Sequence, residues 1–91
     1  MTDETELRAW RRAAGISQEE MAERIGVALR AYIDLEKGVT AYRKVHRLAF
    51  ERAALGVAVE RKDPSLAPAP VLADAEALAY QVLADRAAGR A

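Results

Sequence analysis

Ninety-one residues, 52% apolar and 31% charged, with 14 basic side chains against 14 acidic ones, describe one small domain with an appendage. A chain this short buries only about 60 to 65% of the surface it exposes when unfolded, which excludes a large enzyme with a deep cleft or a second core. With no cysteine and a lone histidine, His46, the sequence excludes disulfides, thiolate zinc sites, iron–sulfur clusters and a histidine metal cage, so no cofactor or metal is expected. The longest apolar runs are a few residues, and the acidic stretch from Met1 to Glu4 lacks the basic region of a secretion signal. A cytoplasmic protein without membrane contact is the expectation.

Gly15, Gly26 and Gly38 each follow a stretch of helical periodicity, where a left-handed residue ends a helix. The first helix is predicted from about Glu4 to Ala14, with Leu7, Trp10 and Ala14 on one apolar face and Asp3 with Glu6 as its cap. The second opens at Ser17, where Ser-Gln-Glu-Glu fits a capping box, and buries Met21, Ala22 and Ile25. After Gly26-Val27 a third helix spans about Ala28 to Lys37, burying Ala31, Tyr32 and Leu35. From Arg43 the repeat Val45, Leu48, Ala49, Ala53, Gly56, Val59 predicts one long helix, weakened at Gly56.

Residues 1–62 therefore form the expected domain. Three prolines within residues 63–70 predict an extended, semi-rigid linker. A final helix from about Val71 to Ala87 carries Val71, Ala75, Leu78 and Val82 at spacings of four, three and four, flanked by Leu72, Ala79 and Leu83. That stripe predicts docking on its own domain or pairing with a second copy. Charge is segregated along the same chain: Lys37, Arg43, Lys44 and Arg47 occur without a carboxylate between residues 37 and 47. Such a cluster suits phosphate contacts.

Two short helices joined through Gly26-Val27 have the spacing of a DNA-reading helix-turn-helix, whose second helix fits the roughly 12 Å major groove. The residues at fixed spacing are Leu-Arg-x-x-Arg before Gly15, then Gly-Ile-Ser-Gln-Glu-Glu-x-Ala, Ile-Gly-Val, and Leu-Glu-Lys-Gly ending at Gly38. In this order the stretch from Leu7 to Gly38 resembles the XRE family of helix-turn-helix regulators, which includes phage Cro and repressor proteins. The resemblance implies an all-α, lambda-repressor-like bundle of about five helices with an extra C-terminal helix.

By position, it also implies that Leu29, Arg30, Ile33 and Asp34 face the bases. Ser17, Gln18, Lys37, Thr40, Tyr42, Arg43 and Lys44 would lie against phosphates, and Arg11 with Glu36 would form an internal ion pair. The implied activity is a double-stranded DNA-binding transcriptional regulator, a repressor acting as a homodimer on an inverted repeat and not as an enzyme.

The sequence departs from the family at two places. Ala28 stands where the family carries a serine or threonine cap, and Leu29 with Ile33 makes the reading face partly apolar. Leucine and isoleucine can meet thymine methyl groups or a protein. The rival expectations are therefore a protein-binding adaptor or antiactivator on the same scaffold, and an antitoxin that represses its own operon. Trp10 is expected in the core and His46 is expected to carry no chemistry.

Overall fold

Helix ends in this protein are set by backbone groups that have nowhere else to bond. In the computed structural model, which describes residues 5–89, the first three helices are α1 (Glu6–Ala14), α2 (Gln18–Ile25) and α3 (Leu29–Lys37). Gly26 takes φ 89° and Gly38 φ 79°, a region costly for residues with a Cβ, and each amide bonds back into the helix it closes. At the other ends, Thr5 accepts from the Arg8 amide at 3.2 Å and Ser17 accepts from the Glu20 amide at 3.1 Å. Thr5, not the predicted Asp3 and Glu6, is thus the α1 cap; Asp3 lies outside the described residues. Glu20 Oε2 accepts from Arg24 Nε at 2.9 Å, which draws the glutamate along the helix. Ala28 gives α3 no side-chain cap.

The fourth helix, α4 (Lys44–Arg61), is continuous through Gly56, as the repeat predicts. Its buried face meets the predicted one only at Ala53. Phe50, Ala53, Ala54, Val57 and Ala58 are buried, whereas Val45, Leu48 and Val59 are exposed. At 100° per residue the two faces differ by roughly a third of a turn. The reason is the surface opposite α4: Phe50 and Trp10 meet edge to face with ring centroids 5.6 Å apart, and α4 also packs on α2 and on the turn after it, so its rotation is set by what lies across the core. Ala31, predicted buried, is likewise exposed, while Glu36 takes a place in the interior of α3.

The core gathers Leu7, Ala14, Ile16, Met21, Ala22, Tyr32, Leu35, Phe50, Ala53, Ala54 and Val57, with Trp10, Ile25, Val27 and Leu66 packed on its edge. Residues 63–70 are more structured than an extended path. Asp63 caps a 3₁₀ turn at Pro64–Leu66, and the Leu66 carbonyl accepts from Trp10 Nε1 at 2.7 Å. Pro70 then sits in the first turn of α5 (Ala69–Ala87), where its missing N–H costs no hydrogen bond.

No residue of α5 is buried. Its 19 residues form a rod of about 28 Å that packs on α4 only near its start, at Val71, Leu72 and Ala75. The radius of gyration is 15.6 Å, against about 12 Å for a globule of this length, because α5 projects. No helix among the described residues is long and apolar enough to cross a membrane.

Candidate nucleic-acid interface

Glu36 is the point at which three helices are tied together. It lies on α3 at 5% exposure, and its two oxygens accept from donors on α1, α2 and α3. Arg11 grips it with Nε to Oε2 at 2.6 Å and Nη2 to Oε1 at 3.1 Å, a bidentate fork. Gln18 Nε2 donates to Oε1 at 3.1 Å, and the Tyr32 hydroxyl donates to Oε2. Arg11 Nη1 also donates to the Ile16 carbonyl at 3.0 Å. Among the described residues no buried side-chain nitrogen or oxygen lacks a partner.

Electrostatics follow from that geometry. Burial pushes the Glu36 carboxyl up, but hydrogen bonds from Arg11, Tyr32 and Gln18 outweigh it and hold the group below its ordinary value. The Glu36 hydrogen bond in turn raises Arg11, and burial followed by Glu36 raises the Tyr32 phenol. A charge held this way resists reorientation, so α3 keeps a fixed angle to α2.

The outer face of α3 shows what that frame presents. Arg30 has a side chain 80% exposed, and its Nε lies 3.6 Å from Asp34 Oδ1, an ion pair too long for a hydrogen bond. Leu29 is 39% exposed and Ile33 is half-buried beside them. The four predicted base-facing residues thus share one surface, on the first turn and a half of α3.

The predicted phosphate contacts divide into two groups. Lys37, Thr40, Arg43 and Lys44 are exposed on the end of α3, the following loop and the start of α4. Ser17, Gln18 and Tyr42 already have partners. Ser17 caps α2, Gln18 gives an amide proton to Glu36, and the Tyr42 hydroxyl donates to Glu6 Oε2 at 3.1 Å. Tyr42 also stacks on His46 at a centroid distance of 6.2 Å, and burial followed by Glu6 raises its phenol. The tyrosine therefore braces the loop against α1.

Residues 7–42 match a family of helix-turn-helix domains. This segment is an XRE-type helix-turn-helix. No match was found among curated proteins or among solved structures. The matched stretch begins at Leu7, in the core, and ends at Tyr42, so it contains the whole Glu36 network and all of the α3 face. The match supports a DNA-binding domain of the kind regulators carry, and the all-α bundle described above agrees with it.

The helix-turn-helix also uses residues that the sequence pattern does not reveal. His46 Nδ1 accepts from the Arg43 amide at 3.0 Å, capping α4 three residues into the helix. The Arg43-to-His46 spacing is that of an N-cap and N3 pair, which is the one signal available. Arg61 Nη1 donates to the Ala14 carbonyl at the end of α1, and Arg24 forks onto Glu60 at 2.8 and 3.0 Å. These join residues 47 and 36 positions apart, and nothing local marks such pairs.

Proposed function

We propose that this protein is a sequence-specific, double-stranded DNA-binding transcriptional repressor that inserts the start of α3 into the major groove. The observation that carries the reading is the contrast on α3 itself: Glu36 is held by donors on three helices while Arg30, six residues earlier, extends into solvent. A rigid helix offering a guanidinium fork suits guanine O6 and N7. Asp34 can accept from cytosine N4, and Leu29 with Ile33 can meet thymine methyl groups.

Lys37, Thr40, Arg43 and Lys44 would fix the register on the phosphates, with Ser17 contributing through the α2 end that it caps and Gln18 and Tyr42 through the helix and loop that they hold in place. Glu20, beside the α2 amides, is partly neutralised by Arg24. One copy makes few base contacts, so two copies on an inverted repeat, with half-sites about 10 bp apart, supply affinity and register. The α5 face, with Leu78, Ala79, Val82 and Leu83 exposed and Val71, Leu72 and Ala75 at its base, is the pairing surface in this reading.

Arg30→Ala and Lys44→Ala test the division of labour on a bound duplex and its single-base variants. Arg30→Ala is expected to cost about 1 to 3 kcal/mol and to relax preference at one base pair. Lys44→Ala is expected to weaken all duplexes alike and to flatten the salt slope by about one. An equal loss on every sequence for Arg30→Ala would remove it from base reading. The exposed Leu29 favours one second reading, an adaptor that binds protein through Leu29 and Ile33. Replacing both with serine would then abolish partner binding and leave DNA affinity intact.

A further inference from the structure

Four residues on the exposed face of α5 are arranged symmetrically about position 80, two residues beyond the midpoint of the helix. Leu78 and Val82 lie two residues either side of position 80, and Asp74 and Arg86 lie six residues either side with opposite charge. All four line one groove of about 620 Å³, which runs along α5 and is closed at its base by Leu55 of α4. Leu78 is 67% and Leu83 63% exposed on this face, a large apolar load for a helix with no buried residue.

From this pattern we propose that the groove is filled by α5 of a second copy, running antiparallel, with the two-fold axis level with residue 80. Such an interface is isologous, so every contact occurs twice. Leu78 then lies level with Val82 of the second copy, and Val82 with its Leu78. Asp74 comes level with Arg86 of the second copy at both ends of the seam. A parallel pair would bring Asp74 level with Asp74 and Arg86 level with Arg86, like charges at both ends, and would align rather than oppose the helix dipoles. Leu83 lies level with Ala77 of the second copy, so a large side chain meets a small one along the flank. Asp85, whose Oδ1 accepts from Gln81 at 2.7 Å, lies level with Ala75 of the second copy and meets no acid there.

This geometry rests on the paired-copy reading above and adds the direction and register of the pair. It is tested without DNA, so its failure is separate from failure of base reading. The chain has no cysteine, so single cysteines report distances without background. Leu78→Cys and Val82→Cys chains, mixed and oxidised, are expected to cross-link to each other far more than either does to itself. In sedimentation of the full chain, Asp74→Arg and Arg86→Asp are each expected to shift dimer toward monomer, and the double exchange to restore it. Circular dichroism confirms that each variant is folded.

Cross-linking of Leu78→Cys mainly to itself, or charge exchanges without effect, would overturn the antiparallel register. A full chain that sediments as a monomer throughout the micromolar range, or one that dimerises with the groove open to a different protein, would overturn the second copy as occupant.

Discussion

Glu36 and Leu83 mark opposite extremes of this molecule. Glu36 is a charged residue 5% exposed, and Leu83 is an apolar residue 63% exposed. In the bundle of α1 to α4, a buried charge is tolerated because Arg11, Gln18 and Tyr32 replace its water. In α5 an apolar face is left in solvent because α4 reaches only its first turns. The comparison teaches that the bundle is complete within one chain, whereas α5 has a surface whose burial needs something outside it.

The largest effect that would break this contrast lies in the bundle. Glu36→Ala leaves the Arg11 guanidinium, the Tyr32 hydroxyl and the Gln18 amide without their acceptor, and is expected to destabilise by about 3 kcal/mol or more in urea unfolding. A loss under about 1 kcal/mol would show that the network does not lock the helices. The pH dependence sharpens the same point. Because Glu36 is depressed in the folded state, its contribution is present above the ordinary carboxylate value of 4.5 and is lost as pH falls through the lower folded value. Wild type is expected to lose more melting temperature than Glu36→Gln between pH 6 and acid, a window set by that direction of shift. Parallel curves for the two proteins would contradict it.

A smaller effect of opposite sign is expected at Gly56. A Cβ there would meet only Arg52 Nη1 at 3.5 Å, an ordinary contact with a flexible side chain. Gly56→Ala should therefore stabilise α4 by about 0.5 to 1 kcal/mol in thermal or urea melts. The smallest effect is expected in α5. Leu83→Ser should change the unfolding free energy of dilute, monomeric protein by less than about 0.5 kcal/mol while weakening self-association. A loss of 2 kcal/mol under those conditions would mean that α5 is docked on its own domain.

The sequence made the glycine- and serine-marked helix ends of the bundle legible, though not the Thr5 cap of α1, because glycine and serine act locally, through backbone groups only a few residues away. Gly26, Gly38 and Ser17 each do in the structure what their positions predict. The Arg11–Glu36 pair and the α3 face were legible for a different reason: they came from the family pattern, which carries spatial information that periodicity does not. The face of α4 was not legible. Val45, Leu48 and Val59 repeat as regularly as Phe50, Ala54 and Val57, and only the surfaces packed against α4, Trp10 and α2 among them, choose between them. The same limit hid Arg61 on the Ala14 carbonyl and Trp10 on the Leu66 carbonyl, contacts between residues far apart in the chain. Tyr42 shows a further difficulty. An exposed aromatic in a basic loop looks like a phosphate contact until Glu6 and His46 are seen around it.

The central claim, that a rigid α3 reads DNA sequence, is tested most directly by selecting the full chain against a random duplex pool at near-physiological salt and sequencing what is retained. The account predicts enrichment of an inverted repeat with half-sites about 10 bp apart, centre to centre. Retention without enrichment, vanishing as salt rises, would contradict it and leave only the sequence-independent attraction between the Lys37-to-Arg47 cluster and phosphate.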